Sequence, residues 1–270
     1  MKEGGVAMGP EASTHLRSIE LLREGIASFD RYPFNLPAVR NLDHLELHPK
    51  VTFLVGENGT GKSTLLEALA VCLGLNAEGG SRNFNFATRE SRSQLSDHLR
   101  LVRGTHRPHD CYFLRSESFY NVATEIERLD NSGGGPQLVD AYGGKSLHEQ
   151  SHGESFYSLF MNRFDGAGLY LMDEPEAALS PTRQMGLLTI IHDLADWESQ
   201  FIIATHSPII LAYPDAWIYV LSDEGLTRTA YTDTEHYIIT RRFLQDPAKM
   251  LAILLAPPEG KTDLRKPGSK

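Results

Sequence analysis

The sequence predicts an α/β fold with a mainly parallel sheet and an inserted, more helical lobe, and three observations support this. From residue 169 onward, short apolar runs alternate with longer helical patterns, which is typical of parallel sheets with crossover helices. Residues 51–55 form another apolar run that enters a glycine-rich loop and is followed by a mostly apolar helix. Residues 76–150 show weaker patterning, which favours a lobe inserted into this core.

The composition is that of an ordinary folded protein. The chain has 270 residues, of which 41% are hydrophobic and 23% charged, with a net charge of -9, so its overall charge gives no attraction to nucleic acid or anionic membranes. Its only cysteines, Cys72 and Cys111, are far apart in sequence and suggest no disulfide framework. We find no secretory signal and no transmembrane segment in the sequence, and we therefore expect a soluble, cytoplasmic protein.

We expect one domain over residues 15–256. Its core lobe is predicted at about residues 15–75 and 165–256, and its inserted lobe at about residues 76–164. The ends, residues 1–14 and 257–270, are aperiodic and contain much glycine, alanine, proline or charge, so we interpret them as flexible tails.

The individual elements follow from hydrophobic periodicity. Apolar residues recur at roughly helical spacing in residues 15–27, whereas residues 34–39 and 45–55 resemble strands. A buried helix is predicted at residues 63–73, with Gly74 as its stop. Later strands are predicted at residues 111–114, 169–172, 201–204 and 217–221, and a later helix at 183–197.

The glycine-rich loop has the pattern G-x-x-x-x-G-K-S, and its residues are Gly56, Glu57, Asn58, Gly59, Thr60, Gly61, Lys62 and Ser63, followed by Thr64. In this pattern, backbone N–H groups wrap phosphates, the lysine reaches the β- and γ-phosphates, and the serine hydroxyl binds Mg²⁺. The alternative is a chance glycine-rich turn, but the apolar strand before it and the apolar helix after it favour a phosphate loop. The loop predicts nucleotide binding without separating a kinase, a GTPase and a motor.

Two acids follow the apolar run 169–172. The carboxyl end of a core strand lies beside the phosphates in such sheets, so we expect Asp173 to bind Mg²⁺. Glu174 is then the candidate base for the attacking water. The alternative is a surface turn, because Asp-Glu-Pro is turn-like.

A histidine follows the apolar run 201–204. His206 is predicted to donate to the γ-phosphate or to hold the attacking water. Taken alone, a histidine at a strand end is more often a packing residue, but its position 32 residues after Glu174 (206 − 174) favours a catalytic role.

This ordered set of motifs resembles the ATP-binding-cassette (ABC) ATPases, which include transporter motors and the chromosome-maintenance and recombination-repair ATPases. The remaining parts of the resemblance are a degenerate signature at residues 150–154 and a D-loop-like segment at residues 178–181. The resemblance implies ATP and Mg²⁺ as cofactors and an ATP-dependent, head-to-tail homodimer in which Ser151 and Gly153 contact the nucleotide of the other copy. An ordinary capping box, Ser151 with Glu154, explains the same residues.

The chain departs from the family pattern at several positions. Ser180 stands where the family usually has the D-loop aspartate. For the Q-loop position beside the metal we consider Glu117 by its place after a strand, with Gln94 as a weaker candidate. Tyr32 or Phe34 could stack on adenine, although such aromatic residues are more often core residues.

An arginine-rich segment precedes the strand at residue 111; it contains Arg82, Arg89, Arg92, Arg100, Arg103 and Arg107. It predicts either a local nucleic-acid contact or, as we prefer, a solvated face. The segments 113–119 and 176–181 also resemble stand-alone bacterial ATPases labelled AAA-type, some of which are linked to toxin or phage-defence systems.

We therefore expect an ATP hydrolase coupled to an unidentified client, with DNA repair and defence as the candidate settings. The alternatives are the motor subunit of an ABC transporter and a nucleotide-binding switch with little turnover.

Overall fold

The computed structural model describes residues 14–82, 94–133 and 137–256. Within these ranges the strands are β1 Leu16–Leu21, β2 His44–Glu46, β3 Val51–Gly56, β4 Leu99–Arg103, β5 Asp110–Arg115, β6 Gly168–Asp173, β7 Gln200–Ala204, β8 Trp217–Ser222 and β9 Gly225–Thr229. The helices are α1 Pro37–Arg40, α2 Lys62–Cys72, α3 Phe119–Asn131, α4 His152–Asn162, α5 Pro181–Asp196, α6 Glu235–Gln245 and α7 Pro247–Leu254. Short 3₁₀ segments lie between several of them.

A six-stranded sheet forms the centre of the fold, in the order β5-β6-β7-β3-β8-β9. The first five of these strands run parallel, and only β9 pairs antiparallel to its neighbour. Every residue of β3, β6 and β7 is buried, as expected for parallel strands covered on both faces. The predicted mainly parallel α/β fold is confirmed.

The two faces of this sheet carry different helices. Because side chains alternate along a strand, Leu169 and Leu171 of β6 pack with α2 on one face. Tyr170 and Met172 pack on the other face with apolar side chains of α3, α4 and α5. The chain is thus layered, and all parallel strands point their carboxyl ends toward the same edge.

A smaller antiparallel sheet, in the order β2-β1-β4, covers the α2 side. The helix predicted at residues 15–27 is wrong, because residues 16–21 form the central strand of this sheet. The spacing of Leu16 and Ile19 suits a helix as well as it suits this partly covered strand. Pairing with two strands distant in sequence decides in favour of the strand.

Two further predicted strands need correction. Residues 34–39 contain no strand and include the start of α1, whose first residue is Pro37. Proline cannot donate to a sheet ladder but suits the first turn of a helix. The single strand predicted at residues 45–55 is divided between β2 and β3, which belong to different sheets, and Pro49 lies in the break. The other predicted elements lie within two residues of the observed ones.

The division into two lobes stays a prediction. Within residues 76–164, the segment after β5 contains α3 and α4 joined by 3₁₀ turns. However, β4 pairs with β1 and β5 pairs with β6, so these two strands are built into the two sheets. Among the described residues, no helix is both long and apolar enough to cross a bilayer.

Gln200 at the start of β7 links the two sheets through its fully buried amide. Its Oε1 accepts from the Leu16 N–H at 2.9 Å, and its Nε2 donates to the carbonyls of Leu16 at 2.8 Å and His48 at 2.9 Å. All three groups that it satisfies belong to the backbone, where unpaired buried groups are costly.

We expect Gln200→Leu to destabilise the fold by about 3 kcal/mol, because it leaves buried backbone groups without partners. Urea unfolding should show a lower midpoint at an unchanged slope. Gln245→Leu, at an exposed site on α6, is the matched control. Equal midpoints for wild type and Gln200→Leu would contradict this assignment.

Candidate nucleotide site

The phosphate loop joins β3 to α2 through backbone conformations that favour glycine. Gly56 and Gly61 have φ values of 153° and 104°. A Cβ on Gly56 would lie 2.4 Å from the Leu221 carbonyl oxygen, so a side chain cannot fit there without a shift of backbone. The loop directs the N-terminus of α2 at the space above it, which suits an anion.

Lys62 is the first residue of α2 and is almost fully buried. Its Nζ donates to the loop carbonyls of Gly56 at 2.6 Å and Glu57 at 3.0 Å. Burial lowers the pKa of Lys62, while the nearby Glu174 and Asp173 act in the opposite direction. The ammonium group therefore lies within the loop, opposite the two acids.

Ser63 and Asp173 form the part of the site that suits Mg²⁺. The Ser63 hydroxyl donates to Asp173 Oδ1 at 3.1 Å, so two hard oxygen donors meet at the end of β6. Asp173 is 4% exposed, and burial raises its pKa to about 6. Among the described residues, no group of three or more His, Cys, Asp or Glu is arranged to hold a metal by itself. A magnesium ion here would need phosphate and water oxygens as well.

Glu117, the predicted third metal-side residue, pairs with an arginine. Its carboxylate lies 3.2 Å from Arg115 Nη2 and is 82% exposed. Arg115 ends β5 beside Asp173, with 3.9 Å between its Nε and Asp173 Oδ2, and it also contacts Glu67. The metal role of Glu117 stays a prediction. Arg115, whose role sequence reasoning missed, is the cation that pairs with the buried aspartate among the described residues.

Glu174 adopts a left-handed backbone conformation, with φ 52° and ψ 53°. This conformation is unfavourable for a residue with a side chain, and three hydrogen bonds hold it. The Glu174 N–H donates to the Ala204 carbonyl at 2.9 Å, while its carbonyl accepts from the Ser116 hydroxyl at 2.6 Å and the Ala177 N–H at 3.0 Å. The turn that sequence reasoning weighed against a catalytic role is real, and it projects the carboxylate from the sheet edge.

His206 follows β7 and lies beside Glu174. Its Nε2 is 3.6 Å from Glu174 Oε1, and this buried nitrogen has no hydrogen-bond partner among the described residues. Burial and then the charge of Lys62 lower the pKa of His206, opposed by Glu174. The ring is therefore neutral near pH 7, with one nitrogen directed at the acids.

Glu176 binds the backbone N–H of His206, which we call the switch histidine, and was missed by sequence reasoning. Its Oε1 accepts from the His206 N–H at 2.5 Å, and burial raises its pKa. The available signal was its position, two residues after Glu174 on a turn that faces the end of β7. This contact joins the turn after β6 to the backbone just after β7.

Ser151 and Gly153 lie at the start of α4. The Ser151 N–H donates to Glu154 Oε2 at 3.0 Å, which completes the capping box foreseen as the alternative reading. A Cβ on Gly153 would lie 2.5 Å from Arg183 Nη1 and 2.9 Å from the Ala178 carbonyl. The signature residues are therefore grouped with the D-loop-like segment, and their contact with a second copy stays a prediction.

The candidates for adenine and the Q-loop take different positions. Tyr32 is 65% exposed and its hydroxyl lies 3.4 Å from Thr64 Oγ1, near the phosphate loop. Phe34 is buried in the core against Phe29 and His98, so it has no free face for adenine. Gln94 is an exposed residue at the start of a 3₁₀ segment.

The arginine-rich segment does not form one free basic surface in the described residues. Arg100 pairs with Glu20 across β1 and β4, and Arg82 donates to Cys111 Sγ at 3.7 Å. Arg103 and Arg107 are exposed, whereas Arg89 and Arg92 lie outside the described residues. A nucleic-acid role for the segment stays a prediction.

The sheet, the phosphate loop and the strand-end acids together form a P-loop fold of the ABC-ATPase type. The sequence model of the family described as "AAA domain" matches residues 21–151. A second, described as "AAA domain, putative AbiEii toxin, Type IV TA system", matches residues 150–212. Together the two matches contain every predicted site residue.

Similar solved structures come from ABC transporters and from an SMC protein. One is described as a "putative metal-chelate type ABC transporter" (18% identity, 84% of this chain, 88% of that chain, TM-score 0.47). Another is the SMC head domain from Thermotoga maritima (16% identity, 80% of this chain, 98% of that chain, TM-score 0.40). A third is CbiO1 from Clostridium perfringens, part of the ABC transporter complex CbiONQ (17% identity, 90% of this chain, 100% of that chain, TM-score 0.45).

Proposed function

We propose that this chain binds ATP and hydrolyses it in a Mg²⁺-dependent reaction. The observation that carries the proposal is the meeting of three strand ends at one sheet edge. There the Ser63 hydroxyl lies 3.1 Å from Asp173 Oδ1, and Glu174 Oε1 lies 3.6 Å from a buried imidazole nitrogen of His206. Positioning and charge neutralisation are what phosphoryl transfer needs from a protein.

Each residue takes one role in this proposal. Lys62 and the backbone N–H groups of the loop bind the phosphates. Ser63 and Asp173 hold Mg²⁺, which when bound neutralises charge on the phosphate oxygens. Glu174 accepts a proton from the attacking water, and His206 Nε2–H donates to a phosphate oxygen.

The proposal is tested first by Lys62→Ala, which removes the only ammonium group that lies within the loop in the described structure. We expect ATP affinity to fall roughly 10- to 100-fold, the cost of a lost hydrogen bond to a charged group. Titration with a fluorescent ATP analogue measures affinity, and phosphate release measures turnover. Lys50→Ala, at a surface ion pair with Asp196, is the control.

Two outcomes would reject the proposal. Wild-type protein that binds ATP but releases no phosphate would favour the nucleotide-binding switch over the hydrolase. Unchanged affinity in Lys62→Ala, with a melting temperature equal to that of wild type, would remove the loop from nucleotide binding altogether.

We further propose that a second copy of the chain completes the site in a head-to-tail dimer. Ser151 and Gly153 would then face the nucleotide of the partner through the N-terminus of α4, whose N–H groups suit an anion. Their grouping with Ala178 and Arg183 supports one continuous contact surface. We propose a cytoplasmic location, and the client of the ATPase is left open by these observations.

A further inference from the structure

Helix α6 forms the far wall of a cleft of about 520 Å³ over the phosphate loop; the residues lining this cleft are Glu57, Asn58, His206, Glu235, His236, Ile239 and Thr240. The buried Thr234 caps the helix by accepting from the Tyr237 N–H at 3.4 Å. This cap places His236 in the first turn of α6, directed at the end of β7.

His236 contacts the switch histidine directly. The distance between His206 Nδ1 and His236 Nε2 is 3.1 Å, and the two ring centroids are 5.3 Å apart. At this distance one nitrogen must donate and the other must accept, because a neutral imidazole has one N–H and one lone pair. The contact therefore couples the protonation sites of the two rings.

The surroundings decide which nitrogen donates. His206 Nε2 lies 3.6 Å from Glu174 Oε1, and a carboxylate only accepts hydrogen bonds. A proton on Nε2 is attracted to this carboxylate, whereas a lone pair there would be repelled. With its proton on Nε2, His206 accepts at Nδ1, so the donor is His236 Nε2–H.

The charged groups around the pair favour two neutral rings. Burial lowers the pKa of both histidines, and Lys62 acts in the same direction on each. Glu174 opposes this for His206, and Glu235 with Glu176 opposes it for His236. When both rings are neutral, only one hydrogen lies between His206 Nδ1 and His236 Nε2. The tautomer of one ring therefore fixes that of the other.

We propose that His236 is a positioning residue for ATP hydrolysis: it donates to His206 Nδ1 and so, together with the Glu174 carboxylate, holds the His206 proton on Nε2, toward the reacting phosphate. The inference rests on the proposed function for its catalytic meaning, but the tautomer itself is a property of the folded chain. It gives α6, which is separate from the phosphate loop and the strand ends, direct control over the hydrolytic site.

The tautomer is tested without ATP, by ¹⁵N-histidine NMR of the full chain near pH 8. We expect His206, assigned by comparison with His206→Asn, to be protonated on Nε2 in wild type. His236→Phe keeps an aromatic ring but removes the donor, and should shift His206 toward a mixture of tautomers. His236→Gln places an amide N–H near the original Nε2 and should restore the wild-type signal. A wild-type His206 protonated on Nδ1 would overturn the proposal.

The catalytic consequence is tested by steady-state ATP hydrolysis. We expect His236→Phe to lower kcat roughly 2- to 3-fold with KM unchanged, because a mixture of tautomers leaves the Nε2–H donor on about a third to a half of the molecules. His236→Gln should recover most of kcat, and Gln245→Leu, at an exposed site on the same helix, should match wild type. Equal losses in the Phe and Gln variants, with melting temperatures unchanged, would overturn the positioning role. If wild type shows no hydrolysis, the proposed function fails, whereas the NMR result still decides the tautomer.

Discussion

Glu174→Gln is expected to lower the rate of phosphate release roughly 100-fold or more while ATP binding persists. The amide has nearly the shape of the carboxylate but cannot accept a proton from water, and general-base contributions are of this size. The backbone should be unaffected, because the bonds that hold the left-handed turn come from Ser116, Ala177 and Ala204 and not from the Glu174 side chain. Single-turnover phosphate release with saturating ATP and Mg²⁺ measures the effect.

The same variant tests the proposed dimer. If hydrolysis opens the dimer, blocking it should trap the closed form, so light scattering should give twice the monomer mass with ATP and the monomer mass without it. Glu224→Gln, at an exposed turn between β8 and β9, controls for the loss of one carboxylate. If Glu174→Gln hydrolyses ATP at the wild-type rate, Glu174 is not the base. If the variant stays a monomer under saturating ATP, the head-to-tail dimer is excluded.

Asp173→Asn is expected to stabilise the nucleotide-free, Mg²⁺-free protein at alkaline pH and to abolish its ATP hydrolysis. Burial raises the pKa of Asp173 from 3.8 to about 6, so the folded state holds this proton more tightly than the unfolded state. The stabilising effect of the protonated carboxyl is fully present below the unfolded pKa and is lost as pH rises through about 6. Asparagine carries no charge at any of these pH values.

The expected result is that the stability advantage of Asp173→Asn over wild type grows as the pH rises. Relative to wild type, the unfolding free energy of Asp173→Asn should increase by about 2 kcal/mol between about pH 4.5 and about pH 8. Urea unfolding at both pH values, in a chelating buffer, measures it, with Asp223→Asn at an exposed turn as the control. If the two proteins differ in unfolding free energy by the same amount at both pH values, burial does not raise the pKa of Asp173.

The parts of the site that could be predicted are those held within one loop or one strand end. The phosphate loop and the acids after β6 are contiguous in sequence, and an apolar run before each group identifies the strand that positions it. The sequence also indicated His206, because its apolar strand and its distance from Glu174 fit an ordered set of motifs. These features are local, and local residue types suffice to recognise them.

Other contacts could not be predicted, because they join segments that are far apart in the chain. His206 meets His236 and Glu176 across 30 residues in each direction, and Arg115 reaches Asp173 only because β5 and β6 are neighbours. Nothing in the residue pattern around His236 separates it from a surface histidine on a helix. Its role depends on where the cap at Thr234 starts α6 and on which strand end that helix faces.

The sequence by itself determined the α/β class, the parallel core and the chemistry of the phosphate loop, because apolar periodicity and glycine placement act over a few residues. Only the tertiary structure decided that residues 16–21 form a strand, that Phe34 packs in the core, and that α6 faces the switch histidine. These outcomes depend on hydrogen-bond and packing partners brought together by the order of strands in the sheets, and that order is a property of the whole folded chain.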